Sequence, residues 1–206
     1  MENYRNDRVI SRPAAFGVEG TAPQDEEVVR MASQKKMGTL LSSASLVMAD
    51  TCSILHDAFP QAMEHMLPYL TQQKKPFYVP VSCVYELKKL ARDPKRPESF
   101  RQKAAGRLHL LAWMKDEGVV DVLGEPTDGG FADSILFSQI TTLRHRVDSI
   151  LLITNDYKLG EDVQRNTVAD GGRINVCQIN RYGYFSFIGP LSQQNRCSQN
   201  PFRMSY

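Results

Sequence analysis

The stretch that decides the fold is SLVMADTCSIL, residues 45–55. A short apolar run, SLVMA, ends at Asp50, and a polar Thr51-Cys52-Ser53 step leads into a second amphipathic segment. A buried strand that passes directly into a helix is typical of an α/β protein. At this junction Asp50 is either a helix N-cap or a metal ligand, and the rest of the chain has to distinguish the two.

Short apolar strands alternate with helical segments along the following 130 residues. Further strands are predicted at PFYVPV (76–81), VVDVL (119–123), SILLIT (149–154) and INVCQI (174–179). Helices are predicted over 53–70, 82–92 with Ser82 as N-cap, 99–118 with Trp113 on the apolar stripe, 131–147 and 156–172. This alternation predicts a three-layer α/β/α fold with a mainly parallel central sheet of about five strands.

The predicted domain spans residues 45–180, with an extension at each end. Residues 1–44 are partly irregular and contain a predicted helix over 26–41. Residues 181–206 combine aromatic and arginine side chains. That mixture suits stacking on single-stranded RNA or packing against the domain, and we favour packing.

Composition excludes several classes of protein. With 42% apolar and 23% charged residues, the chain has no apolar run of the roughly 18 residues that a membrane span needs. Its N-terminus lacks the apolar core of a signal peptide. The four cysteines and four histidines have no zinc-ligand spacing. We therefore expect a cytoplasmic protein with reduced, mostly buried thiols at Cys52, Cys83 and Cys177.

Charge is strongly segregated along the chain. Residues 74–115 hold 11 Lys or Arg and 3 acids, a net charge of +8. Residues 116–170 hold 11 acids and 4 bases, a net charge of −7. Residues 171–206 hold four arginines and no acid. A polyanion-binding protein would use this pattern, although solvated helix faces also produce it.

Four carboxylates are predicted to meet at one edge of the sheet, because parallel strands place their carboxyl ends together. Asp50 and Asp156 follow strands, while Glu86 and Asp133 lie in the first turns of helices. Each has a simpler explanation. Asp50 and Asp156 fit N-caps, Glu86 could pair with Lys89, and Asp133 could interact with a helix dipole.

Asp133 fits the simpler explanation least well, because its helical neighbours at i+3 and i+4 are apolar. Four carboxylates without a cation among them repel one another. Oxygen ligands suit Mg²⁺ or Mn²⁺ rather than zinc. Such a site activates water and phosphodiesters, and the adjacent +8 segment would hold the substrate backbone through Lys88, Lys89, Arg92, Lys95 and Arg96.

Four motifs in order resemble those of the PIN-domain nuclease family. They are MADTCSIL (48–55), VSCVYELKKL (81–90), GGFADSILFSQI (129–140) and LLITNDYKLG (151–160). The resemblance covers about residues 45–180. It implies that Asp50, Glu86, Asp133 and Asp156 are the catalytic, metal-binding acids. It also implies supporting roles for Thr51 and Thr154, with Asn155 beside the site.

By this resemblance the chain is a ribonuclease that hydrolyses RNA phosphodiester bonds by attack of water, with Mg²⁺ or Mn²⁺ as cofactor. The family includes toxins with antitoxin partners, RNA-processing enzymes and homodimers, and the sequence does not choose among them. The alternative is an inactive PIN-like module that binds RNA or protein. A phosphatase with Asp50 as nucleophile is disfavoured, because Cys52 occupies the position of its second carboxylate.

Overall fold

A computed structural model of the protein describes residues 23–124, 132–168 and 174–187. The strands within these ranges are β1 (Leu46–Ala49), β2 (Phe77–Pro80), β3 (Val120–Leu123), β4 (Ile150–Ile153), β5 (Ile174–Ile179) and β6 (Phe185–Phe187). The helices are α1 (Pro23–Ser43), α2 (Thr51–Leu55), α3 (Phe59–Gln73), α4 (Val81–Arg92), α5 (Glu98–Asp116), α6 (Ala132–Leu143) and α7 (Tyr157–Val168).

All six strands form one sheet in the order β3-β2-β1-β4-β5-β6. The first five strands are parallel, and β6 pairs antiparallel with β5. The predicted α/β class and mainly parallel sheet are therefore confirmed. The sixth strand was not predicted, because its residues were assigned to the C-terminal extension. Since β1 to β5 are parallel, their carboxyl ends share one edge of the sheet.

The sheet is covered on both faces, as its apolar central strands require. Val47 and Ala49 belong to a core that includes residues of α1, α3, α4 and α5. Leu46 and Met48 belong to a second core formed with α6 and α7. Because side chains alternate along a strand, every residue of β1 is buried in one core or the other. This makes β1 a rigid base for the residue that follows it, Asp50.

Helix α1 extends the predicted helix over 26–41 at both ends. Its last turns contribute Met37, Leu40 and Leu41 to the first core, so this part of the chain packs with the domain. The predicted boundary at residue 44 stays a prediction. None of the helices in the described ranges combines the length and apolar character that a bilayer crossing requires.

The single helix predicted over 53–70 is wrong, because the structure contains two helices separated at His56–Ala58. Pro60 lies in the first turn of α3, where a proline is tolerated. A side chain from α5 stabilises the break between the two helices. The guanidinium of Arg107 on α5 donates to the carbonyl oxygens of His56 and Asp57, at 3.0 and 3.3 Å. This contact joins α5 to the segment between the two helices, where the His56 carbonyl also accepts the N–H of Phe59 at 3.0 Å.

Three local predictions are wrong. Ser82 is not an N-cap, because α4 already begins at Val81 after Pro80. Trp113 is 58% exposed and lies on the face of α5 opposite the buried Leu111 and Met114. Cys52 is exposed, whereas Cys83 and Cys177 are buried free thiols as predicted.

Candidate functional site

Asp50 lies directly after β1 at the carboxyl edge of the sheet, and it is 2% exposed. Its Oδ1 accepts the backbone N–H of Ser53 at 2.8 Å, which caps α2. Its Oδ2 accepts the hydroxyl of Thr154 at 2.6 Å. The N-cap explanation is therefore confirmed. Capping does not exclude a ligand role, because a carboxylate oxygen has two lone pairs and can accept from more than one partner.

Glu86 is held beside Asp50 by the next residue, Thr51. The Thr51 hydroxyl donates to Oε2 of Glu86 at 2.5 Å. The charges of both carboxylates affect the pKa of the buried thiol of Cys83, which lies one turn before Glu86. Burial raises the pKa of Cys83 to about 12, and the charges of Asp50 and Glu86 contribute to that rise. No Glu86–Lys89 ion pair is found among the described side chains, so that simpler explanation is wrong.

Asp156 follows β4, which pairs with β1, and is connected to Asp50 through one hydroxyl. Thr154 is fully buried, and its Oγ1 accepts the backbone N–H of Asp156 at 3.1 Å while donating to Asp50. Oδ1 of Asp156 accepts the N–H of Leu159 at 3.0 Å, which caps α7. The N-cap explanation is thus confirmed here as well. Among the described residues, Oδ2 of Asp156 makes no hydrogen bond.

Asp133 lies in the first turn of α6, as predicted, but its side chain is outside the described part of the structure. The placement of α6 is nevertheless informative. Ser134, the next residue, lines a cleft together with Asp156, Lys158 and Asp162. Helix α6 also contacts α4, which carries Glu86. The first turn of α6 therefore lies close to the elements that position the other acids.

Asn155 has a structural role that was not predicted. Its side-chain amide donates to the carbonyl of Ile179 at 2.9 Å and accepts the N–H of the same residue at 3.2 Å. Its backbone N–H donates to the buried Oγ of Ser53 at 2.8 Å. Asn155 thereby ties the end of β4 to the end of β5 and to α2. This holds Thr154 and Asp156, the residues on either side of it, in place.

We expect Asn155→Ala to lower the free energy of unfolding by about 1–3 kcal/mol, because it leaves both polar groups of Ile179 without their partner. Denaturant unfolding of the purified protein measures this. Asn166→Ala is the matched control, since Asn166 is exposed and donates only within its own helix. We expect it to change stability by less than about 0.5 kcal/mol. Equal effects of the two substitutions would contradict the assigned role.

The donor set fits a hard divalent cation, since it consists of carboxylate and hydroxyl oxygens. The fit is incomplete in one respect. Among the side chains that are described, no three His, Cys, Asp or Glu lie close enough to form a ready-made metal site. Thr51 binds the Glu86 carboxylate, Thr154 links the Asp50 carboxylate to the backbone N–H of Asp156, and the side chain of Asp133 lies outside the described part of the chain.

The predicted basic residues divide into two groups. Lys88, Lys89 and Arg92 are exposed on α4, and Lys89 lies one turn from Glu86. Lys95 and Arg96 lie beyond the far end of α4, and Arg96 forms an ion pair with Asp93 at 3.9 Å. The first group therefore lies on the same helix as Glu86, and the second group lies beyond the end of that helix.

The fold is an α/β protein with a mainly parallel sheet, in which Asp50, Glu86 and Asp156 follow the carboxyl ends of parallel strands. No family model matches this chain, and no curated protein matches it. Among solved structures, the chain is similar to the PIN domain endonuclease Utp24, with 17% identity and a TM-score of 0.49. The match covers 72% of this chain and 94% of that chain. At this identity and score the likeness says nothing about activity, which has to be argued from the site.

Proposed function

We propose that this protein is a divalent-metal-dependent ribonuclease whose centre is Asp50. One observation carries the proposal. The Asp50 carboxylate, which follows strand β1, is 2% exposed and accepts the Thr154 hydroxyl, which in turn accepts the backbone N–H of Asp156. The next residue, Thr51, donates its hydroxyl to the Glu86 carboxylate. Burying a carboxylate near another is costly unless a cation compensates the charge. Mg²⁺ or Mn²⁺ suits these oxygens.

Each residue of the site has a separate role in this proposal. Asp50 and Glu86 bind the cation, with Asp133 and Asp156 completing its ligands. When bound, the cation supplies Lewis-acid activation of water and of the phosphodiester. Thr51 and Thr154 fix the two carboxylates in one orientation, as partners of metal ligands commonly do. Lys88, Lys89 and Arg92 attract the RNA backbone and hold its phosphates.

The second candidate is a module with the same fold that binds RNA or protein without cutting it. The observation that favours it is the incomplete grouping of acids in the described part of the chain. In that case Asp50 and Asp156 serve only as caps of α2 and α7. The basic face of α4 would then be the whole functional surface. A toxin role, an antitoxin partner, a homodimer and a cytoplasmic location stay predictions from the sequence.

Incubation of the full chain with a pool of single-stranded and structured RNA tests the proposal. We expect cleavage with Mg²⁺ or Mn²⁺ and none with EDTA. In parallel, Mn²⁺ at 100 times its dissociation constant should stabilise the fold by about 2.7 kcal/mol. For a chain of this length that corresponds to a rise in melting temperature of roughly 5–10 °C.

Two results together would favour the binding module. They are the absence of cleavage with either metal and an unchanged melting temperature after addition of Mn²⁺. A rise in melting temperature without cleavage would instead keep the metal site and put the choice of substrate in doubt.

A further inference from the structure

Two half-exposed tyrosines adjoin the candidate acids. Tyr85 is 49% exposed and directly precedes Glu86, and Tyr157 is 51% exposed and directly follows Asp156. In the described part of the chain, the exposed large aromatic side chains are Tyr85, Trp113, Tyr157 and Tyr182. Half of this small set therefore lies next to an acid of the site. Exposed aromatic rings beside a charged cleft are common features of binding surfaces.

Packing does not account for these two rings. Neither Tyr85 nor Tyr157 contributes to either hydrophobic core. Within the described residues, neither hydroxyl makes a hydrogen bond, whereas a buried tyrosine usually does. Their exposed surface is thus available to a ligand, and on Tyr85 one ring face already carries the Lys88 ammonium.

The order of the sheet places the two tyrosines on opposite sides of Asp50. Tyr85 is on α4, which follows β2, and Tyr157 begins α7, which follows β4. Strand β1, which ends at Asp50, lies between β2 and β4. Neighbouring strands are about 4.8 Å apart, so the ends of β2 and β4 are separated by about 10 Å. Helices α4 and α7 pack on opposite faces of the sheet, so a ligand that contacts both rings has to cross the carboxyl edge, where Asp50 lies.

A lysine accompanies each tyrosine, over the ring of Tyr85 and next in sequence to Tyr157. Nζ of Lys88 lies 5.4 Å from the centroid of the Tyr85 ring. Lys158 follows Tyr157 in sequence and lines the cleft that contains Asp156. An aromatic face with a cation next to it is complementary to a nucleotide, in which a base adjoins a phosphate. This combination favours a nucleic acid over an apolar protein segment.

We propose that Tyr85 and Tyr157 are base-stacking residues that hold two bases of an unpaired RNA strand, one on each side of Asp50. The proposal rests on the proposed ribonuclease function and adds residues that determine its specificity. Bases in a duplex are already stacked and paired, so these rings select unpaired RNA. Stacking tolerates every base, so selection for sequence at these two positions is weak.

The test measures binding in EDTA, where cleavage does not interfere. A short single-stranded RNA carrying 2-aminopurine is titrated with the full chain, and a hairpin of equal length serves for comparison. We expect Tyr85→Ala and Tyr157→Ala each to weaken single-strand binding by about 5- to 150-fold and to reduce the fluorescence quench. Tyr85→Phe and Tyr157→Phe keep the ring and should bind like the wild type.

Trp113→Ala is the matched control. Trp113 is an equally exposed ring, but it lies near the end of α5 that leads into the start of β3, at the opposite edge of the sheet. We expect it to leave both affinities unchanged. Melting temperatures of all variants show that the fold is intact.

The outcomes separate this inference from the proposed function. If quenching depends on the two rings but the protein does not cleave RNA, the stacking role is supported and the ribonuclease function is ruled out. Metal-dependent cleavage with unchanged binding by both alanine variants overturns the stacking role and leaves the ribonuclease. Equal losses for single strand and hairpin overturn the stacking role, as does a wild-type protein that binds a peptide but no RNA.

Discussion

Asp50→Asn should abolish cleavage of RNA while leaving the fold intact. Substitution of residues that only orient metal ligands typically costs about 10- to 100-fold in activity or metal affinity. Asp50 is itself the proposed ligand, so we expect a loss greater than about 100-fold. The stabilisation by Mn²⁺ should disappear in the same variant. Initial cleavage rates and melting curves with and without Mn²⁺ measure the two effects.

The structure explains why the fold should survive this substitution. An asparagine oxygen can accept the N–H of Ser53, as Oδ1 of Asp50 does. Its amide can donate to the hydroxyl of Thr154, which is free to rotate towards the carbonyl of Asp156, 3.3 Å away. The variant also removes a buried negative charge near Glu86. In EDTA its melting temperature should therefore stay close to that of the wild type.

Asp57→Asn is the control, because Asp57 is exposed and pairs with Lys103 at the surface. We expect normal cleavage and a normal response to Mn²⁺. If Asp50→Asn, folded like the wild type, still cuts RNA at the wild-type rate, Asp50 is only a helix cap. The nuclease centre would then lie elsewhere in the chain.

The layout of the fold could be predicted because it depends on local patterns. Short apolar strands separated by amphipathic helices define the class, and parallel strands place Asp50, Glu86 and Asp156 at one edge. The strand over 174–179 has the predicted bounds. The break between α2 and α3 could not be predicted. It is stabilised by Arg107, about 50 residues away, and Pro60, which marks the start of α3, does not by itself show that α2 ends at Leu55.

Errors about individual side chains have the same origin. A helical period shows which residues share a face, but not how much of the helix a neighbour covers. Trp113 is exposed because α5 buries the face that carries Leu111 and Met114. Strand β6 escaped prediction because three residues give too little period to separate a strand from a loop.

At the site, residue types could be predicted but not their connections. Thr51, Thr154 and Asn155 were expected near the acids from the family resemblance alone. Their partners are 24 to 104 residues away in sequence, so no local pattern shows them. Ser53 was missed altogether, although its buried hydroxyl links α2 to the backbone after β4. A serine three residues after a strand-ending aspartate is too common a feature to indicate such a role.

Thr154→Val tests whether the hydroxyl of Thr154 positions Asp50 or whether the side chain only packs around it. Valine has nearly the same shape but lacks the hydroxyl that binds Oδ2 of Asp50 at 2.6 Å. It also leaves the N–H of Asp156 without its acceptor. We expect a 10- to 100-fold loss of Mn²⁺ affinity and of cleavage rate. Stability should fall by about 1–3 kcal/mol, since a buried donor loses its partner. Titration with Mn²⁺, followed by melting temperature and by cleavage, gives both numbers.

Thr154→Ser makes the complementary change. It keeps the hydroxyl and removes a buried methyl group, which costs about 0.5–1.5 kcal/mol by comparison with Ile→Val substitutions. Its Mn²⁺ affinity should nevertheless stay near that of the wild type. If metal affinity follows the hydroxyl while stability falls in both variants, Thr154 acts by orienting Asp50. If valine binds Mn²⁺ as tightly as threonine, the N–H of Ser53 suffices to fix the carboxylate, and the hydroxyl only satisfies the backbone of Asp156.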